Sequence, residues 1–151
     1  MRGIRSRSIW RSERGQSLVE AAMITPIVLL IMVGIFEVAR AYQTWQVLTN
    51  AAREGARAAV VPGAAVPTIK EIVKKYVVDG QVGNFTIDMV DVNPAATINV
   101  NGTSIGATLV TVNYPFKFIV LGPVAELVAG GGTPGAPLTM RATSLMRNEA
   151  Q

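Results

Sequence analysis

The chain has 151 residues, half of them hydrophobic, with no cysteine, no histidine and a formal net charge of +4. Without these residues there is no disulfide framework, no thiolate or imidazole metal site and no Ser–His or Cys–His nucleophile. The excess charge is confined to residues 1–15, where Arg2, Arg5, Arg7, Arg11 and Arg14 stand against Glu13, while residues 16–151 balance nine basic with nine acidic side chains; a basic surface for nucleic acid is therefore not expected.

The first predicted element follows this arginine-rich leader. From Ala21 to Phe36 sixteen consecutive residues carry no charge, and Leu18 and Val19 extend the apolar run backwards. As a helix, Leu18–Phe36 would cover about 28 Å at about 1.5 Å per residue, close to a hydrocarbon core of about 30 Å. Arginines flanking a span mark its cytoplasmic side, so the chain beyond it is expected across the membrane. Pro26 lies inside this segment and removes one helical hydrogen bond, which membrane helices tolerate.

No breaker ends the apolar run. It continues to Ala59, with Val38, Tyr42 (or Ala41), Trp45, Leu48 and Ala52 spaced by three and four as one apolar stripe, and stops at Val61-Pro62-Gly63. One helix of roughly 60 Å is expected over residues 17–59, its first half in lipid and its second half amphipathic. Tyr42 and Trp45 fall where aromatic rings favour the membrane boundary. A second, short helix is expected over Thr68–Val78.

Beyond Asp79-Gly80 the apolar period changes to two. Phe85, Ile87 and Met89 alternate with polar residues; Ile98 and Val100 precede Asn101-Gly102; Leu109–Tyr114 and Leu138–Met146 follow. Asn-Gly is a hairpin signal, although the strand after it is expected to start late, after a longer loop. Residues 116–129 read as a loop or short helix, and Gly130–Gly135 as a flexible loop. The expected fold is α+β: a long N-terminal transmembrane helix continuing into an amphipathic stalk, then a small pilin-like head of three or four antiparallel strands. The expected division is a leader over 1–15, a membrane half over 16–37, a stalk half over 38–61 and a head over 62–151.

Two segments carry a family resemblance. Arg14-Gly15-Gln16-Ser17-Leu18-Val19-Glu20, in register with the apolar run and with Leu48-Thr49-Asn50-Ala51-Ala52-Arg53-Glu54-Gly55-Ala56-Arg57, resembles TadE-like proteins of the tight-adherence (type IVc) pilus system. Leu109–Phe116 and Leu138–Glu149 resemble the distal part of that family. The resemblance implies a non-enzymatic minor pilin or pseudopilin that takes part in pilus assembly or a related secretion process. It implies cleavage by a prepilin peptidase between Gly15 and Gln16, leaving Glu20 as the fifth mature residue, and residence in the inner membrane with the head outside. Its partners would be the peptidase, TadE- or TadF-like pilins, the Tad machinery and the bilayer, without a cofactor. Unlike a secretory signal, the apolar segment lies after the cut and stays in the mature protein.

Several side chains follow as candidates for assembly. A carboxylate at membrane depth is costly, so Glu20 requires either a shallow position or a partner. The α-amino group freed at Gln16 of a neighbouring subunit is one such partner. Glu37 and Arg40 can pair on one helical face, as can Arg53 and Arg57 with Glu54; these charges are read either as a solvated face or as contacts to a partner helix. Ala51, Ala52, Gly55, Ala56 and Ala59 permit close packing, against another subunit or against the protein's own sheet. Asp88 and Asp91 alternate across a strand, a poor geometry for a metal. Asn84 and Asn101 open Asn-x-Thr sequons. No carboxylate pair is placed for acid–base work, so an enzyme is not expected. The alternative to a pilin is a single-pass anchored binding module whose head captures a soluble or cell-wall ligand.

Overall fold

A computed structural model describes residues 13–129 and 137–148. The elements in chain order are α1 (Glu13–Ala59), α2 (Val66–Asp79), β1 (Val90–Val100), β2 (Thr103–Phe116), α3 (Leu121–Ala129) and β3 (Leu138–Arg147). The chain divides into two compact units, Met1–Phe36 and Glu37–Gln151, and α1 contributes residues to both. The α+β class and the long apolar N-terminal helix stand as expected. The leader residues 1–12, the loop Gly130–Gly135 and Glu149 lie outside the described residues.

Within the first unit the helix carries its apolar side chains outward: Leu18, Met23, Ile27, Ile31 and Phe36 are all exposed. The helix runs through Pro26. Proline has no N–H, so the Ala22 carbonyl loses its donor four residues on. In the same turn Thr25 Oγ1 donates to the Ala21 carbonyl at 2.7 Å, giving the polar hydroxyl an internal acceptor.

The second unit has a packed core. Leu48, Ala51, Ala52 and Ala56 of α1 meet Ile69, Val73 and Val77 of α2 and the sheet residues Val90, Val92, Val110 and Val112. Of the expected α1 stripe, Ala41, Leu48 and Ala52 turn inward. Val38, Tyr42 and Trp45 are exposed, and the inward line is Glu37, Ala41, Thr44, Leu48, Ala51 and Gly55. At Gly55, in this inward line, α2 approaches α1 closely. A Cβ on Gly55 would run into Val73 Cγ2. The small residues of the stem therefore receive the protein's own α2 and sheet, the intramolecular of the two readings.

The sheet has three strands in the order β1–β2–β3, both pairings antiparallel. Two expectations about it are corrected. The alternation at Phe85, Ile87 and Met89 is not a strand: Phe85 is buried and stacks on Tyr114, and Ile87–Met89 form one 3₁₀ turn before β1 begins. Backbone in the left-handed region at Gln81 (φ 60°) and Asn84 (φ 55°) redirects the chain just before this segment, which breaks any extended run. At Asn101-Gly102 the loop is tight, because Val100 pairs directly with Thr103. Both turn residues have positive φ, 52° and 84°, as a two-residue type I′ turn requires. Farther along β1 the register shifts between Asn93 and Ala96. Pro94 cannot donate to a ladder, and the extra residue is absorbed as a bulge in which Asn93 Oδ1 accepts from the Ala95 N–H at 3.0 Å.

Candidate functional site

The candidates near the N-terminus sit on one exposed helical face. Gln16 and Glu20 are four residues apart, and Gln16 Nε2 donates to Glu20 Oε1 at 3.2 Å. The carboxylate thus has a partner inside its own chain, at the residue expected to become the mature N-terminus. Gly15 is exposed as well, so nothing described in the chain covers the Gly15–Gln16 bond. The stretch Gly15–Ala59 is long and apolar enough to cross a membrane, which fits a single-pass anchor.

Glu37 is the first charged residue after the uncharged run and is only 1% exposed. Both of its oxygens accept the Ile119 N–H, at 2.9 and 3.0 Å, and Oε1 also accepts the Val120 N–H at 3.1 Å. These amides immediately precede α3, where the first N–H groups of a helix lack internal acceptors and the helix dipole favours an anion. A buried carboxylate is tolerated only when its lone pairs are filled and its charge is balanced. Arg40 supplies the balance: its Nη2 lies 3.4 Å from Glu37 Oε2 and donates to the Lys117 carbonyl at 2.6 Å. Its guanidinium also lies 4.4 Å from the centre of the Phe116 ring, a cation–π arrangement. Glu37 and Arg40 do pair, and for Glu37 the solvated-face reading gives way to burial.

The other charged candidates are arranged differently. Arg53 and Arg57 are exposed and Glu54 half-buried, and among the described residues the ion pairs are Arg40–Glu37, Lys74–Glu71 and Lys75–Asp79. Arg57 lies in the last turn of α1, where a cation complements the carboxyl-end dipole. Asp88 falls in the 3₁₀ turn and Asp91 in β1, opposite Thr111. No group of three or more acidic residues able to hold a metal occurs among the described residues. The sequon residues Asn84 and Asn101 both occupy left-handed turn positions, a conformation that asparagine tolerates better than most residues.

A groove of about 650 Å³ opens beside this clamp, lined by Arg40, Gln43, Gln81, Asn84, Tyr114 and Lys117 among others. Tyr114 Oη donates to the Gly83 carbonyl at 2.9 Å, tying the turn after α2 to the end of β2. Sequence reasoning did not anticipate the groove or the Glu37 contacts with Ile119 and Val120. One signal existed: a carboxylate closing a sixteen-residue uncharged run has to find donors somewhere.

Comparison with known families matches residues 15–57 to the TadE-like protein family model, a segment that holds Gly15–Glu20 and Leu48–Arg57. No curated protein matches the chain, and no solved structure does.

Proposed function

We propose that this chain, TadE-like over residues 15–57, is a non-enzymatic minor pilin or pseudopilin of a tight-adherence pilus or a related secretion apparatus. The family ties it to the Tad pilus system in general. The observation that carries the finer reading is register: Gly15, Glu20, the uncharged run 21–36 and the stem 48–57 all fall within the family match and within one helix.

In this reading a prepilin peptidase cuts between Gly15 and Gln16 from the cytoplasmic face of the inner membrane. The leader 1–15 is lost, residues 16–37 hold the bilayer, residues 38–61 form the stem, and 62–151 form the extracytoplasmic head. The new α-amino group at Gln16 is cationic near neutral pH and joins the Gln16 amide as a donor to Glu20, from the same or a neighbouring subunit. That pairing would set axial register as subunits stack. Pro26 would allow the membrane half to bend on leaving lipid. The exposed Arg53 and Arg57, with Glu54, are offered to TadE- or TadF-like partners.

Expression in a Tad-competent host, with and without its prepilin peptidase, tests the reading. Intact mass should show a mature chain beginning at Gln16 only when the peptidase is present, and pull-down should recover pilus components. A full-length chain in both hosts, with no such partners, favours the anchored binding module instead, for which the groove beside Arg40 and Lys117 is the natural ligand site.

A further inference from the structure

We propose that α3 is a second membrane contact, an interfacial helix that lies on the phospholipid surface where α1 leaves the bilayer. The inference rests on the anchor reading of residues 16–37, and three observations carry it.

The first is level. The apolar run ends at Phe36, so the edge of the hydrocarbon lies near Glu37, the next residue. The Glu37 carboxylate holds the Ile119 and Val120 amides at 2.9 to 3.1 Å, and α3 starts at the following residue, Leu121. The start of α3 is thereby held within a side chain's reach of Glu37, the first residue after the apolar run. Exposed Tyr42 and Trp45, with ring centres 6.2 Å apart, follow within three turns of Glu37 and suit the headgroup zone.

The second is the face. Val120, Val124, Leu127 and Val128 recur at i, i+4, i+7 and i+8, one stripe of a helix. Leu127 is 85% exposed and Val128 80% exposed, more than any other large apolar side chain described in the second unit. Such residues would be costly in water, and a lipid boundary removes the cost. The third is charge. Lys117, exposed and two residues before Ile119, is placed to meet lipid phosphate. Glu126 is spaced off the Val124–Val128 line.

Because the chain has no cysteine, single cysteines report position cleanly. Ile27→Cys in the span, Leu127→Cys in α3 and Asn99→Cys beside the Asn101-Gly102 hairpin are each labelled with an environment-sensitive fluorophore. The full-length proteins are reconstituted into vesicles of phosphatidylethanolamine and phosphatidylglycerol carrying lipid-borne quenchers, either shallow or deep. The hairpin lies at the opposite end of β2 from Phe116, roughly 40 Å along the strand at about 3.3 Å per residue. The expected result is that deep quenchers extinguish the Ile27 label and shallow quenchers the Leu127 label, with a blue shift, as for a helix about 5–10 Å into the interface. The Asn99 label should be unaffected, and Glu37→Ala should reduce quenching at Leu127 while leaving Ile27 unchanged. Quenching at Ile27 with none at Leu127 overturns the proposal and leaves the anchor intact; a blue shift there without quenching assigns the stripe to another protein surface. Loss of quenching at Ile27 overturns the anchor and this proposal together.

Discussion

Both carboxylate oxygens of Glu37 accept the Ile119 amide, at 2.9 and 3.0 Å, across 82 positions of chain. A single side chain after the apolar run thus holds the end of the segment between β2 and α3, just before Leu121. Replacing it with alanine leaves two amides without their acceptor and Arg40 without its counter-charge. For each amide the expected cost is about 1–3 kcal/mol, a loss of hydrogen-exchange protection of roughly 5- to 150-fold. Exchange measured at Ile119 and Val120 on the detergent-solubilised chain checks this; unchanged protection would show that the clamp contributes nothing.

Gly55 limits how near α2 can come to α1. In Gly55→Ala the new methyl group meets Val73 Cγ2 and presses on Val110 Cγ1 at 3.3 Å. Both valines are stiff and fully buried, so overpacking should cost about 1–3 kcal/mol. Urea denaturation should locate the loss, and adding Val73→Ala should recover part of it. Simple additivity of the two substitutions would argue that the contact is not the cause.

The hairpin at Asn101-Gly102 makes a backbone prediction. Gly102 sits at φ 84° with open space around its Cα, so Gly102→Ala meets no clash but does meet backbone strain. A destabilisation of about 1–2 kcal/mol is expected, whereas Asn101→Gly should be nearly neutral. Equal melting temperatures for Gly102→Ala and the parent would place the turn in another conformation.

Glu20→Gln keeps the shape of the side chain and removes its charge. If the carboxylate meets a subunit's α-amino group, about 1.5–3 kcal/mol of charge-assisted hydrogen bonding is lost. Recovery with pilus partners should then fall roughly 10- to 150-fold, while membrane insertion persists. Undiminished co-purification removes the register role and leaves Glu20 as a helix-surface group bonded to Gln16.

Fold class was legible because its signals are local and strong. A sixteen-residue uncharged run, a Pro-Gly stop and a change of period from 3.6 to two are each readable within a short window of residues. The family segment was legible for the same reason, since its residues lie in register along one helix. The errors came where a local pattern is ambiguous. Phe85, Ile87 and Met89 alternate like a strand, yet the turn at Asn84 decides otherwise. Asn101-Gly102 favoured a tight hairpin, and only the pairing of Val100 with Thr103 shows how early β2 begins.

Primary structure alone established a lipid-compatible segment and the leader's charge, both properties of consecutive residues. Which side of the stem faces inward, and what a buried carboxylate grips, depended on atoms far apart in the chain. Tyr42 and Trp45 carry the largest side chains of the stripe yet are exposed, whereas at Gly55 not even a Cβ fits against Val73. Likewise Glu37 and Ile119 are 82 positions apart in the chain and meet only in the folded structure. Long-range contact geometry is a property of the folded chain, and no local window of residues contains it.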